Sequence, residues 1–423
     1  MTVRPQAWPA GLAPSVLHVS RPADGGVAAY VAALAADQAR RGWNVAVACP
    51  GHGYLPGELA ALGVPWLRWD TAAAPGAGTP GEARRLRRLI DLFAPHAVHL
   101  HSSRAGLVGR AVLRGRIPTL FQPHGWSWTT RGPVAERAAL LWERTAARWA
   151  DLLVCVGEGE AALARHHRLR GNLVTVRGGV DLDRFRPADA GARRAARRLL
   201  GVPEHAPLAV CPGRVTRDGG QDLLVGAWER VTRVCPGARL AVVGDGDLLP
   251  ALRAAAAPEV VLTGAVDDVR PWYAAADVVV LPARGEGPSP VAPVALEALA
   301  SGRALVAAAV PGLAGLVTPR TGALVPPGDA GALAGAVALR LRHPALAHQE
   351  GQAALARAAD FGLRPVLDRL AALTSRVIRG GHGDAAPAAG RLADGVSVSR
   401  WDADGDGRDG GRRGASAGGA ARR

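Results

Sequence analysis

The sequence predicts an α/β protein built from two doubly wound, Rossmann-like parallel sheets. Three observations carry this. The chain has 423 residues, two to three times the length of an ordinary domain. Short apolar runs of strand length alternate with amphipathic stretches of helix length, the order that builds parallel sheets. The alternation halts near Arg186-Pro187 and restarts at Leu208, which divides the chain into an N-terminal domain, 1–187, and a C-terminal domain, 188–375.

The first strand is Ser15-Val-Leu-His-Val. It runs through Asp24-Gly25-Gly26 into a helix from Val27 to about Arg41, which Gly42 ends, and Asn44 to Ala48 gives the next strand. Arg84 to Phe93 has the spacing of an amphipathic helix, Ala97 to His101 of a strand, Ala105 to Arg114 of a helix and Thr119 to Gln122 of a strand. Val134 to Ala150 reads as a long helix; Leu152 to Val156 and Leu173 to Val176 read as strands. After a polar helix over Arg193 to Leu200, taken as a solvated surface, the second set follows. Its strands are Leu208 to Cys211, Arg239 to Val243, Val260 to Thr263, Val278 to Leu281 and Ala304 to Ala308. Its helices are Asp222 to Val234, Val269 to Ala276 and Ala295 to Ala300, with a final helical pattern from Gly331 to Arg376. The remaining stretch, 376–423, is Gly, Ala, Asp and Arg with almost nothing apolar, and is expected to be disordered because it cannot bury enough surface to offset ordering entropy.

Composition narrows the function classes. Hydrophobic residues make up 48% and charged residues 21%, which excludes a wholly disordered chain. The net charge of +15 would ordinarily raise nucleic-acid or membrane binding. Yet all 51 basic residues are arginine, and Asn and Ile are scarce, the mark of a GC-rich genome, so the excess is discounted and no nucleic-acid partner is expected. Cys49, Cys155, Cys211 and Cys235 sit in apolar contexts without a CxxC pair and read as buried thiols, neither disulfides nor zinc ligands. No signal-peptide pattern opens the chain, and the longest uncharged apolar stretch, Ala304 to Val317, is too short and too broken to span a bilayer. A cytoplasmic protein is expected, with peripheral contact at the inner face of a membrane as an option. The Arg84-Arg85-Leu-Arg87-Arg88 helix could supply that contact, or could simply be a solvated face. Asp402-Ala-Asp404-Gly-Asp406-Gly407 matches half of a calcium loop, but Arg413 stands where the closing Glu is needed, so no metal site is expected.

Five segments carry chemistry. Gly25-Gly26 lies between a strand and a helix, where backbone amides can approach a diphosphate; turn glycines would look the same, and the absence of Gly-x-Gly-x-x-Gly disfavours NAD. Phe121-Gln-Pro-His124-Gly125-Trp126 ends a strand, where open sheets bind ligands, and presents His124 either to a substrate or as a structural histidine; His99 and His101, at another strand end, could approach an acceptor. Asp181 in Arg177-Gly-Gly-Val-Asp181 reads as a turn residue. Pro212-Gly213-Arg214 through Arg217-Asp-Gly219-Gly220-Gln-Asp222 combines a strand end, glycines and fixed cations, a phosphate cradle. Gly285-Glu286-Gly-Pro-Ser289 and Leu296-Glu297 place carboxylates suited to accepting hydrogen bonds from sugar hydroxyls.

The order and spacing of these pieces resemble the retaining glycosyltransferases of family 4, with the GT-B fold. Val243-Gly244-Asp245-Gly246, the run Asp267 to Val278 with Trp272-Tyr273, and Gly322 to Asp329 strengthen the likeness, which spans about residues 15–375. The resemblance implies an interdomain cleft holding a UDP- or GDP-linked sugar as substrate, with no cofactor and no metal. It implies that Arg214 meets the diphosphate, Glu297 the ribose, Glu286 the donor sugar, and that His124 and the Gly25 and Gly26 amides flank the transferred sugar and phosphate. A saccharide or lipid-linked acceptor follows, as in exopolysaccharide, cell-envelope or glycolipid synthesis.

Three departures stand out. Gly219 replaces a family lysine, and Arg217 is the available substitute cation. Glu286 and Glu297 are separated by ten residues instead of seven, with Pro290 to Ala295 reading as a duplicated Pro-Val-Ala. Gly315 stands where a glutamate is common. They keep open a degenerate GT-B protein that binds a nucleotide or a partner without turnover. A sugar-nucleotide 2-epimerase, which shares the fold, is a further alternative.

Overall fold

The computed structural model describes residues 13–72, 76–128, 133–284, 291–310, 312–313, 315–380 and 398–399. The first sheet comprises β1 (Ser15–Ser20), β2 (Asn44–Cys49), β3 (Trp66–Arg68), β4 (Ala97–His101), β5 (Thr119–Gln122), β6 (Leu152–Cys155) and β7 (Leu173–Thr175). All seven are parallel, in the order β7-β6-β5-β4-β1-β2-β3. The second sheet comprises β8 (Leu208–Pro212), β9 (Arg239–Val243), β10 (Val260–Leu262), β11 (Val278–Leu281), β12 (Ala304–Ala308) and β13 (Gly322–Val325). These are parallel in the order β10-β9-β8-β11-β12-β13. Both orders reverse beside their first strand, at β1/β4 and at β8/β11, and ligand crevices open at the carboxyl ends of such switch points. The two sheets make the GT-B fold. A two-residue strand, β14 (Val398–Ser399), pairs antiparallel with β7.

Strands read as near-continuous Val, Leu and Ala because helices cover both faces, and those of the first sheet's centre are fully buried. Helix Gly25–Arg40 begins at Gly25, two residues before the expected start, and helix Thr79–Phe93 begins five residues early. The predicted helix over 222–234 is two helices, Gln221–Gly226 and Trp228–Val234, broken at Ala227. The sequence reading misses helix Tyr54–Ala61, whose Pro56 and Gly57 look like breakers, and the short edge strands β3 and β13.

Two readings need correction. The helix Ala190–Leu199 is solvated on one side only: Arg194 and Arg198 are exposed as expected, while Arg193 and Arg197 are not. Arg193 and Arg197 both ion-pair with Asp277, at 2.6 and 2.9 Å, and Arg197 is buried, donating further to the carbonyls of Ala275, Pro203, Glu204 and Ala206. A ring of carbonyl oxygens at the base of β8 makes a guanidinium site that periodicity alone does not show.

The second correction concerns the end of the chain. Helix Leu363–Gly380, assigned by the sequence to the second half, packs on the first sheet. Its Leu367, Leu370, Leu373 and Ile378 form one cluster with Val16, Ala97, Leu120, Leu152 and Val154. The chain thus crosses between the halves twice, and the crossings lie side by side. The Val180 amide donates to the Phe361 carbonyl (2.8 Å) and the Leu363 amide to the Val180 carbonyl (2.9 Å). Of the predicted disordered tail, residues 376–380 are helical; apart from β14, the rest lies outside the described residues.

Candidate functional site

The first wall of the site rises from β1, β4 and β5. Gly25 has φ +75° and open space where a Cβ would point, so its exposed amide opens helix Gly25–Arg40 without a side chain in the way. A Cβ on Gly26 would stand 3.3 Å from Cβ of Pro293, so this loop abuts helix Val291–Ala300 of the second half. His124 and Gly125 both adopt positive φ, +48° and +111°. Strain of this kind, about 1–3 kcal/mol at a non-glycine residue, persists only where neighbours over-determine it. Glu160 does so here. Its two carboxylate oxygens accept the Gly125 and Val156 amides, each at 2.7 Å, and its carbonyl accepts the Trp126 indole N–H at 2.9 Å. Burial pushes the Glu160 carboxyl up to about 7, against those two amide bonds.

His99 and His101 do not reach an acceptor from the strand end. Both are fully buried beneath His124, on the face of the sheet covered by helices Gly25–Arg40 and Leu363–Gly380. The period of two along β4 sends 97, 99 and 101 to that face. Asp181 has the structural role expected: its side chain accepts the Asp183 and Arg184 amides at 3.0 Å.

The second wall is the loop after β8. Arg214 is exposed, and no described carboxylate lies within ion-pair distance of its guanidinium; the same holds for Arg217. Gly220 has φ +73°, and a Cβ there would stand 2.0 Å from the Pro282 carbonyl oxygen, so only glycine fits where the loops after β8 and β11 touch. Arg284, after β11, ion-pairs with Asp222 and donates to the Arg217 carbonyl, locking the two loops together. Glu297 lies half-buried on helix Val291–Ala300 and accepts the Tyr273 hydroxyl at 2.9 Å. Burial pushes its carboxyl up to about 7, opposed by the Tyr273 hydrogen bond and by the positive charge of Arg184. Glu286, Ser289 and Pro290 lie outside the described residues.

Comparison with known proteins shows the family. The "Glycosyl transferase 4-like domain" matches residues 25–179 and "Glycosyl transferases group 1" matches residues 206–343. A D-inositol 3-phosphate glycosyltransferase of Catenulispora acidiphila is 33% identical over 350 residues, covering 77% of each chain. The chain belongs to the group 1 and 4-like glycosyltransferases. A D-inositol 3-phosphate glycosyltransferase of Streptomyces avermitilis is 33% identical over 295 residues, 63% of this chain and 62% of that one. Among solved structures, Anabaena Alr3699/HepE in complex with UDP-glucose superposes with a TM-score of 0.74 at 19% identity, covering 85% of this chain and 99% of that one. Sucrose-phosphate synthase from Thermosynechococcus elongatus does so with a TM-score of 0.73 at 22% identity, covering 87% and 100%. These two likenesses concern the fold.

In this glycosyltransferase, Gly219 is more than a missing lysine. A Cβ there would meet Gln221 Oε1 at 2.4 Å and the Arg214 carbonyl at 2.9 Å, and Gln221 Nε2 donates to that carbonyl at 3.0 Å. The buried Gln221 amide therefore fills the space that a longer residue at 219 would need. Sequence reasoning names Arg214, Glu297, His124 and the glycines as candidates. It misses Glu160, Tyr273, Arg284 and Gln221, although Tyr273 and Gln221 stand inside motifs that the sequence displays.

Proposed function

We propose that this protein is a retaining glycosyltransferase that uses a UDP- or GDP-linked sugar, needs no bound metal, and acts on a saccharide or lipid-linked acceptor. Arg214, with Arg217 as the substitute cation, meets the charge that develops on the leaving diphosphate, joined by the Gly25 and Gly26 amides from the other half. Glu297, held by Tyr273, takes the ribose hydroxyls. Glu286 contacts the donor sugar and His124 supports it on the opposite side. The C1–O bond to the diphosphate breaks while the acceptor oxygen bonds C1 on the same face. The acceptor's hydroxyl proton leaves with a diphosphate oxygen, so no side chain is assigned as a nucleophile.

The observation that carries this reading is Arg214: an exposed guanidinium without a described carboxylate partner, at the switch point of the second sheet. The experiment is a thermal-shift and turnover screen of nucleotide sugars, with D-inositol 3-phosphate, named in the relatives, as the first acceptor and the anomeric configuration of the product read by NMR. Selective stabilisation by one nucleoside diphosphate sugar and a product of retained configuration are expected. An inverted product, or no response to any nucleotide sugar, refutes the reading. A binding protein with little or no turnover is the second reading, favoured by Gly219 and the Gln221 amide behind it; turnover above background excludes it.

A further inference from the structure

A single file of imidazoles runs from the cleft into the core of the first half. His124 Nε2 lies 3.3 Å from His101 Nδ1, His101 Nε2 lies 3.0 Å from His18 Nδ1, and His18 Nε2 lies 2.8 Å from Gln38 Oε1 on helix Gly25–Arg40. His18, His101 and Gln38 have no exposed surface. The parallel register of β1 and β4 sets His18 opposite His99, with His101 one step along the same face.

A neutral imidazole has one N–H and one lone pair, so within such a file each ring donates at one end and accepts at the other. The direction is chosen once, at the closed end. The Gln38 carboxamide oxygen can only accept, so His18 donates from Nε2 and accepts at Nδ1. His101 then donates from Nε2 and accepts at Nδ1, and His124 donates from Nε2. The Nδ1 of His124 is left as a bare lone pair. In this direction all three rings hold the Nε2–H form, intrinsically the more stable tautomer of neutral histidine; the reverse direction would force the other form on all three.

We infer that Gln38, His18 and His101 are positioning residues that fix the tautomer of His124, so that it offers the donor sugar a hydrogen-bond acceptor and selects a hydroxyl at that contact. The inference rests on the proposal that His124 touches the donor sugar. Burial keeps the file neutral: it lowers His18 to about 4 and His124 to about 3, and lowers His101 as well. His99 stands outside the file. Its ring centroid is 4.1 Å from that of His101, and its neighbour is the Gln122 side chain, without an aligned hydrogen bond among the described residues. Ligand atoms of His18, His99 and His101 lie within 4.8 Å of one another, so a transition-metal ion is the competing occupant; gripping these rings, it would consume the lone pairs the file needs.

The test is long-range proton–nitrogen NMR of the full-length protein labelled with 15N-histidine, at pH 8 and without added metal. Protonated Nε2 and bare Nδ1 are expected at His18, His101 and His124. Gln38→Met, close in shape but without the oxygen, is expected to mix the tautomers at His124 and lower kcat roughly tenfold, with donor KM little changed. Protonated Nδ1 at His124 in the wild type overturns the inference. So does a Gln38→Met protein whose His124 tautomer and kcat are unchanged, or zinc bound one-to-one with loss of the file's signals. The expected tautomers in a protein that turns over no nucleotide sugar would instead refute the function on which the inference rests, so the two failures are distinguishable.

Discussion

Replacing Glu160 with glutamine separates the support of the His124 loop from donor contact. The carboxylate holds two backbone amides at 2.7 Å, those of Gly125 and Val156. A glutamine keeps one acceptor and turns an NH2 group toward the other amide. One buried N–H is left without an acceptor, a cost of about 1–3 kcal/mol. The wild type carries an opposing cost that depends on pH. Its Glu160 titrates near 7 when folded and near 4.5 when unfolded, so between those values the folded state holds more protons and loses stability as pH rises. The difference is about 3 kcal/mol by pH 8. Glutamine does not titrate. At pH 5 the folded carboxyl is itself a neutral acid with one strong acceptor, so Glu160→Gln is expected to be at most about 1 kcal/mol less stable than the wild type there, and about 2–3 kcal/mol more stable than it at pH 8. Urea unfolding at both pH values measures this. Turnover at pH 8, followed by release of nucleoside diphosphate, is expected to fall about ten- to a hundredfold as the loop shifts. A stability difference that is constant or moves in the wild type's favour as pH rises, or turnover unaffected by the change, refutes the reasoning.

Other perturbations give distinct signatures. Arg214→Ala removes an exposed side chain with no described ion pair, so Tm stays the same while donor affinity falls about 10- to 100-fold, measured by calorimetry. Gly220→Ala drives a Cβ into the Pro282 carbonyl at positive φ, and unfolding is expected about 5 °C or more lower by calorimetric scan. Because the proposed reaction meets the diphosphate with arginine and amides, EDTA is expected to leave the rate of donor consumption unchanged; a rate restored only by Mg²⁺ or Mn²⁺ would overturn that assignment.

The strands of the two sheets were legible because burial on both faces writes an unbroken apolar run, as in Val278–Leu281. Edge strands such as Trp66–Arg68 carry no such run. Arg214 and the glycines around it were legible as a candidate site because the whole segment is local in sequence. Glu160 was not, since its partner Gly125 is 35 residues away and its own surroundings read as an ordinary amphipathic helix. Nor was the file behind His124, which draws on β1, β4 and helix Gly25–Arg40 and exists only once those elements are side by side. The arginines of helix Ala190–Leu199 mislead for a similar reason: Asp277 and the carbonyls that receive them come together only in the folded second half.

The path of helix Leu363–Gly380 has a consequence for synthesis. Leu367 and Leu370 complete the layer over Val16, Ala97 and Leu120, yet they are made only after the second sheet. While the ribosome is still translating the second half, the first half has the part of that face beyond helix Gly25–Arg40 uncovered, whereas the second sheet already has its described strands by Val325. Closure of the N-terminal half waits for the nascent chain to return to it, so a fragment cut at the first crossing would leave that oily face open to water and to its neighbours.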